Sequence, residues 1–461
     1  MYFVTPQRYR WLTLLIVSYF FYINIEPVFA LLTAAISLST YFFTRLIDGT
    51  NDEKKKNKYM VINIILILLP LFFYKYFNEI NNSIFMFLDQ FNVRWPLPKI
   101  KLLLPIGISY YTFMAIGYTI DVYSEEIKAE KNLGIVALFI SFFPLILSGP
   151  IERANNMLPQ FRSGKNPDYD MISSGAKLML WGYFMKLVVA DRTGIYINSI
   201  FENAEFHNGS SLIVATLLYP IQVYGDLGGY SLIAIGVSKI LGINVMDNFR
   251  RPFFATSMSE FWRRWHISLI SWLTDYLYTP LTFAFRKYKI WGIVIALMIT
   301  FILSGLWHGA SLAFLVWGVM QGVLLSIEAL TNKKKLTFEK KFNLNNNRLY
   351  IIISIIITYI LFATTEIFGR GTDINEAITI FHKMFTTSGN IFIGTSSIVI
   401  YMIFGITLLL LKDFTDEFYP NKFLLFESKY KIVRIVSFSF VFILILLIGV
   451  LDGSQFIYFQ F

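Results

Sequence analysis

The sequence contains no cysteine, which excludes disulfide bonds, thiolate nucleophiles and cysteine metal sites. Histidine is nearly as scarce, with only His207, His266, His308 and His382. Because histidine is the side chain whose ordinary pKa lies near neutral pH, few residues remain for acid–base work. No His-x-x-x-His or His-Glu-x-x-His spacing occurs, so we predict that the chain binds no metal.

Charged residues are also few, at 15% of 461 positions, whereas 56% are hydrophobic. Soluble domains have about 25% charged residues. The apolar residues form runs of about 20, the length with which a helix crosses the core of a bilayer. This pattern predicts an all-α, polytopic transmembrane bundle in the cell (cytoplasmic) membrane, surrounded by membrane lipids. We interpret residues 1–461 as a single domain.

The formal net charge of +10 does not indicate nucleic-acid binding, because the basic residues lie in short loops and form no stripe. Two lysine-rich segments, Asp48–Lys58 and Lys333–Arg348, are expected to face the cytoplasm and anionic headgroups. Several spans contain glycine and proline, which is compatible with broken or re-entrant helices. The candidate spans are Trp11–Tyr22, Pro27–Phe43, Met60–Tyr74, Leu102–Tyr118, Leu133–Leu147, Ile172–Val189, Ser211–Val223, Trp291–Trp307, Leu312–Leu330, Tyr350–Phe368, Ile398–Leu411 and Ile432–Leu451.

The segment Pro252–Tyr278 differs from the spans, because its aromatic residues recur at helical spacing with charged residues between them. That pattern predicts one amphipathic helix suited to a membrane interface or the rim of a cavity. His266 lies within it, next to Arg264 and Trp265. A histidine in such a place is either a satisfied interface residue or part of a site.

His308 lies in Ser304–Ala310, between two apolar runs. A titratable side chain at membrane depth is costly, so we treat it as a functional candidate. Gly305 and Gly309 flank it on one helical face, where they can admit a substrate close to the backbone or let the helix break. The alternative is a histidine that hydrogen-bonds a neighbouring helix, with the glycines serving close packing.

Asp226 lies in Tyr224–Ser231, inside another long apolar stretch, so the same cost applies. It can orient a histidine or an arginine; the alternative is a helix cap beside the glycines. The glycines do not match Gly-x-Gly-x-x-Gly, which argues against a dinucleotide site. No Gly-x-Ser-x-Gly elbow occurs, so the local motif of an α/β-hydrolase is absent from the sequence.

Several segments together resemble one family. Ser259–Ser268, followed by Trp272 and Asp275–Tyr278, is similar to the signature of the alginate/peptidoglycan O-acetyltransferase branch of the membrane-bound O-acyltransferase (MBOAT) family. Leu303–Ser311 is similar to the family's catalytic-histidine motif. These blocks belong to a motif core that runs from about residue 100 to 330. Its other blocks are Leu104–Ser109, Tyr111–Phe113, Tyr118–Tyr123, Ser141–Ile151 and Asn248–Phe253.

The resemblance implies transmembrane, re-entrant and amphipathic helices around a funnel. It also implies transfer of an acetyl group from cytoplasmic acetyl-CoA towards a cell-envelope polysaccharide, either peptidoglycan or an exopolysaccharide. An extracytoplasmic SGNH-type O-acetyltransferase is the expected partner. His308 would be the general base and His266 a second catalytic or positioning group. The expected substrate-binding residues are Asp226, Arg264, Trp265, Ser304 and Trp307.

The C-terminal segment 452–461 ends in Gln455–Phe461 and resembles the tail of the small companion protein in bacterial D-alanyl transfer. The resemblance implies that a tyrosine of this tail carries the acyl group. A phenol has a pKa of about 10, which makes it a better nucleophile and leaving group than a sugar hydroxyl. We therefore predict Tyr458 as an acyl intermediate; the alternative is an aromatic anchor at the membrane interface.

Two other functions stay open on the sequence alone. The same fold can move D-alanyl or a longer acyl group. A transporter or flippase without chemistry is a third candidate, but such proteins often have paired intramembrane charges and inverted repeats. The chain has one dominant histidine and no internal repeat, which favours an enzyme.

Overall fold

The structure, a computed structural model, describes residues 2–93, 104–370, 373–420, 422 and 425–451. Of the residues in those ranges, 79% are helical, and no strand occurs among them. Seven of the described helices are long and apolar enough to cross a membrane. The predicted all-α, multi-pass membrane protein is confirmed.

The chain divides into two compact units, and each is described by itself. The first unit comprises Met1–Gly175 and Ala234–Met246, and the second comprises Ala176–Ile233 and Asp247–Phe461. Helices α7 (Tyr169–Tyr183) and α10 (Gly229–Ile240) contain residues of both units. The interpretation of residues 1–461 as one domain stays a prediction.

Among its described residues, the first unit contains six complete α-helices. Its helices α2, α3 and α4 meet through buried polar side chains, since Asn63 donates to Thr119 at 2.8 Å and accepts from Ser39 at 2.7 Å. Such short polar contacts bind helices together where lipid offers no hydrogen bonds. The helices are α1 (Arg10–Ile25), α2 (Pro27–Asp48), α3 (Glu53–Asp89), α4 (Ile108–Tyr123), α5 (Leu133–Ser141) and α6 (Ala154–Ser163).

In the second unit, α14 (Ile290–His308) and α15 (Leu312–Lys341) pack closely on each other. A Cβ atom on Gly305 would lie 2.4 Å from the Phe314 carbonyl oxygen, and one on Gly318 would lie 2.4 Å from that of Phe301. The glycines therefore allow the two backbones to touch. The helices are α8 (Asp191–Phe201), α9 (Gly209–Val223), α11 (Met258–Arg264), α12 (Ile267–Leu273), α13 (Thr279–Ala284), α14 (Ile290–His308), α15 (Leu312–Lys341), α16 (Arg348–Gly369), α17 (Ile374–Thr386), α18 (Ser396–Phe418) and α19 (Lys431–Ile448).

Two lysine-rich segments that we expected to be loops are largely helical. Lys54–Lys58 belongs to the first turns of α3, where the Asp52 side chain caps the helix, and Lys333–Lys341 forms the end of α15. Long lysine side chains can extend from a helix end to the headgroup region, so a basic sequence does not require a loop there.

Within the described part of the second unit, three segments adopt the wider π-helical geometry: Phe184–Ala190, Tyr224–Gly228 and Thr274–Tyr278. Such π-segments are rare and often mark functional positions in helices. The first two contact each other, and both contain charged residues of one buried cluster.

Candidate active site

His308 is the last residue of α14, and the chain turns there because Gly309 is extended and Ser311 caps α15. Its imidazole is only partly buried. Aromatic rings surround it, with ring centroids 4.7 Å away at Trp307 and 5.0 Å away at Trp317. The ring is therefore held by aromatic walls but is not sealed from its surroundings.

A cavity of about 50 Å³ lies against His308. Its described titratable lining groups include His266, His308 and Glu366, and Trp265 and Trp317 form part of its aromatic wall. The structure thus brings together His308, His266 and Trp265 from the predicted set. The assignment of catalytic and binding roles to these residues stays a prediction.

His266 occupies a break between α11 and α12, which shows that the prediction of one continuous amphipathic helix over Pro252–Tyr278 was wrong. The residue has φ of +47° and ψ of 50°, in the left-handed region, where the helix cannot continue. The chain near Asn248 satisfies the backbone groups that the break frees. Arg250 N–H donates to the Arg264 carbonyl and Ile267 N–H to the Asn248 carbonyl, both at 2.8 Å.

The imidazole of His266 is nearly inaccessible, with 2% of the residue exposed. Burial lowers the pKa of His266 to about 4, because the surroundings penalise the cationic form. The ring is therefore neutral at physiological pH. A neutral imidazole offers one N–H donor and one acceptor nitrogen for hydrogen bonds, but it does not supply a fixed positive charge.

Glu366 is a site residue that the sequence reasoning missed. It lies near the end of α16, is 7% exposed, and accepts a hydrogen bond of 2.8 Å from the Trp317 indole N–H. Trp317 is thus in contact with both Glu366 and the ring of His308. The sequence did contain a signal for Glu366, because it is an acidic residue inside the apolar run Tyr350–Phe368, and such residues are functional candidates.

A second tryptophan of the cavity wall is fixed in a similar way. The Trp262 indole N–H donates to Gln321 Oε1 at 3.2 Å, and Gln321 Nε2 donates to Thr365 at 2.7 Å. Gln321 and Thr365 are both buried. Side chains locked by hydrogen bonds and packing keep a cavity in one shape, which an active site requires.

Trp307 and Ser304 are both buried on α14. Trp307 lies between the two histidines, with its ring centroid 4.7 Å from that of His308 and 6.5 Å from that of His266. Ser304 lies one turn before His308 and is not among the described residues that line the cavity. Gly305, at the same level, serves the close contact of α14 with α15.

Asp226 belongs to a buried ion cluster and not to the described lining of the His308 cavity. Its carboxylate lies 2.6 Å from the ammonium of Lys186, which also lies 2.7 Å from Asp191. The cationic partner is therefore a lysine, whereas we expected a histidine or an arginine. Lys186 is a charged residue inside the predicted span Ile172–Val189, so the sequence offered a signal for it too.

Arg264 also belongs to an ion network outside the described cavity lining. Its guanidinium lies 2.6 Å from Glu260 and 2.9 Å from Glu417, and Arg251 lies 3.0 Å from the other oxygen of Glu417. A substrate-binding role for Arg264 stays a prediction. Tyr458 and the tail 452–461 lie outside the described residues.

Comparison with known proteins identifies the family. Residues 102–368 match the model of MBOAT, described as the membrane-bound O-acyltransferase family. The chain is 34% identical to a probable alginate O-acetylase of Pseudomonas aeruginosa over 333 residues, which are 71% of this chain and 62% of that protein. It is 28% identical to the peptidoglycan O-acetyltransferase of Helicobacter pylori over 406 residues, which are 82% and 74% of the two chains.

A third relative is the teichoic acid D-alanyltransferase of Bacillus subtilis, which is 30% identical over 344 residues, or 70% of this chain and 82% of that protein. The match with the Pseudomonas relative covers 62% of that protein, which is less than two thirds of its length. The family match covers more than half of this chain and includes the break at His266, His308 and Glu366. The chain belongs to the membrane-bound O-acyltransferase family.

Proposed function

We propose that this protein transfers an acetyl group from acetyl-CoA to a hydroxyl acceptor, for O-acetylation of a cell-envelope polysaccharide such as peptidoglycan or an exopolysaccharide. The observation that carries the proposal is the small aromatic cavity between His266 and His308. The names of the relatives from Pseudomonas and Helicobacter support acetyl as the cargo.

The chemistry suits the residues. An acceptor hydroxyl attacks a thioester poorly until a base takes its proton, and His308, at the edge of the cavity, takes that proton on a ring nitrogen. The oxygen forms a bond to the carbonyl carbon, the carbon–sulfur bond breaks, and the imidazolium returns its proton to the departing CoA thiolate. The apolar walls limit hydrolysis of the thioester by water.

The size of the cavity supports a short acyl group. One water needs about 10–15 Å³ of such space, so a cavity of about 50 Å³ takes a few water-sized groups. An acetyl group has three non-hydrogen atoms and fits that space. A long fatty chain does not.

The direct test is CoA release by the purified protein in lipid nanodiscs with acetyl-CoA and a soluble hydroxyl acceptor. His308→Ala should lower acceptor-dependent release by at least about 10²-fold, whereas His382→Ala, which removes a histidine of α17, should retain it. Unchanged release by His308→Ala at normal protein yield would contradict the mechanism.

The acceptor of the first step is proposed to be Tyr458, whose phenol would carry acetyl to an extracytoplasmic SGNH-type transferase. A phenol is more acidic than a sugar hydroxyl and leaves more readily in the second transfer. Intact mass after incubation with acetyl-CoA tests this step. The expected result is one acetyl adduct on wild type and none on Tyr458→Phe; an equal adduct on both, or on neither, contradicts the relay.

D-alanyl transfer is the second candidate, because a relative of that name matches 70% of this chain. A D-alanyl group is also short, but it carries an ammonium that acetyl lacks. Competition between acetyl and D-alanyl thioesters for one acceptor separates the two. Exclusive use of D-alanyl would replace the acetyl proposal and leave the role of His308 in place.

A further inference from the structure

We propose that Glu366 is a positioning residue that acts on His308 through Trp317. The inference rests on the proposed acyl transfer and names a residue beyond the two histidines. Glu366 accepts the Trp317 indole N–H at 2.8 Å, and the Trp317 ring meets the His308 ring at 5.0 Å with an angle of 80° between their planes. Glu366, Trp317 and His308 all line the same cavity.

The hydrogen bond fixes the rotation of a large side chain. An indole has one donor and no acceptor, so a buried Trp317 has one polar direction to satisfy. Both Trp317 and Glu366 are buried, so loss of their hydrogen bond costs the desolvation of the indole N–H. The Glu366 carboxyl therefore determines which part of the Trp317 ring faces the His308 imidazole.

Gly369 provides an independent observation. It follows Glu366 by three residues on α16, on the same helical face. A Cβ atom at Gly369 would lie 2.9 Å from Trp317 Cδ1 and 3.0 Å from Glu366 Oε2. Any side chain there would push apart the two groups that form the hydrogen bond, so the space at Gly369 preserves this contact.

The arrangement does not depend on the charge of Glu366. A carboxylate and a neutral carboxyl group both offer an oxygen to the indole N–H. The amide oxygen of glutamine offers one as well, whereas leucine offers none. A positioning role therefore predicts that Glu366→Gln retains function and that Glu366→Leu loses it.

The expected effect falls on the rate and not on donor binding. In Glu366→Leu, kcat for acetyl transfer should fall about 30-fold to 100-fold while KM for acetyl-CoA changes less than about threefold, because the base loses its orientation. Glu366→Gln should retain kcat within about threefold. Gly369→Ala should also lower kcat.

A double-mutant cycle tests the route of action. Trp317→Phe removes the indole N–H and keeps an aromatic ring, so it should lose a similar fraction of kcat. If Glu366 acts through Trp317, then Glu366→Leu adds little loss in the Trp317→Phe background. Additive losses, a normal kcat in Glu366→Leu, or equal losses in Glu366→Gln and Glu366→Leu would each overturn the proposal.

Asp413 offers a matched control. It is a buried carboxyl on another span, α18, and accepts a hydrogen bond of 3.0 Å from the Tyr224 hydroxyl, but it is not among the described residues lining the His308 cavity. Asp413→Leu should cost stability and leave kcat within about threefold. A loss of kcat equal to that of Glu366→Leu would overturn the proposal, because it would show that any buried carboxyl has this effect.

The reactivity of His308 gives a readout that does not need acetyl transfer. Diethyl pyrocarbonate modifies accessible neutral imidazoles, and peptide mass spectrometry reports each histidine separately. Glu366→Leu should change the modification rate of His308 several-fold and leave His382 unchanged. An unchanged His308 rate overturns the positioning role, whereas full activity in His308→Ala overturns the proposed function and with it this inference.

Discussion

The ion cluster around Lys186 and the cavity beside His308 both bury titratable side chains in the second unit, but they compensate them differently. In the cluster, one ammonium lies within 2.7 Å of two carboxylates. In the cavity, Glu366 is held by an indole N–H, and none of the ion pairs among the described residues involves it. In the cluster, a cation is paired with two anions. In the cavity, the Glu366 carboxyl accepts a hydrogen bond from a neutral donor and lies beside open space.

This difference separates a structural site from a chemical one. Breaking a buried ion pair leaves charges that are costly to bury, so the Lys186 cluster should control stability. Groups that face a cavity and are held by neutral partners can exchange protons with a substrate. The His308 cavity should therefore control rate.

The largest expected effect is on rate. His308→Ala should lower acetyl transfer by about 10²-fold to 10⁴-fold, which is the usual contribution of a general base. The melting temperature in detergent should change little, because the ring is only partly buried. A large loss of stability with normal specific activity of the folded fraction would make His308 a structural residue. The His308 cavity and the Lys186 cluster would then not differ in role.

Lys186→Met should have the opposite profile. Removing the ammonium leaves the buried carboxylates of Asp191 and Asp226 close together, and breaking a buried pair costs about 3–5 kcal/mol. Denaturant unfolding in detergent measures that loss. Adding Asp226→Asn should recover part of it, and failure of this second change to help would argue against ion pairing as the source of stability.

His266 should make stability depend on pH. Its pKa is about 4 in the folded protein, below the ordinary 6.5, so only the unfolded chain takes up the proton between these values. As pH falls from about 6.5 to 4, this group should reduce the free energy of unfolding by roughly 3 kcal/mol. His266→Asn should remove that part of the pH dependence, which comparison of unfolding at pH 7 and pH 5 measures.

The smallest expected effect comes from the backbone of His266. Its φ of +47° suits glycine and asparagine, and it penalises β-branched residues. His266→Val should therefore be less stable than His266→Gly by about 1–2 kcal/mol, although valine is the more hydrophobic residue. Equal stability of the two variants would mean that the backbone at the break can change its φ and does not constrain the site.

The sequence predicted the transmembrane class and singled out His308 as a candidate because both inferences depend on local patterns. Apolar runs identify membrane spans directly, and an intramembrane histidine between two of them stands out. Glu366 and Lys186 were accessible to the same rule but were passed over within their apolar runs. Applied to every charged residue inside a span, the rule would have found both.

The break at His266 could not be predicted from a local sequence pattern. The helical spacing of the apolar residues Trp262, Trp265 and Leu269 continues across it, so periodicity predicts one helix. The break depends on hydrogen bonds from the chain at Asn248 and Arg250, which lie outside the pattern. The partner of Asp226 likewise depends on tertiary packing of two π-helical segments.

We expect the His308 imidazole to lie where the acyl donor binds. Protection from diethyl pyrocarbonate by saturating acetyl-CoA tests it most directly in the purified wild-type protein, with His382 as the internal reference. Acetyl-CoA should slow modification of His308 at least about 10-fold and leave His382 unchanged. Equal modification of His308 with and without bound acetyl-CoA would contradict it.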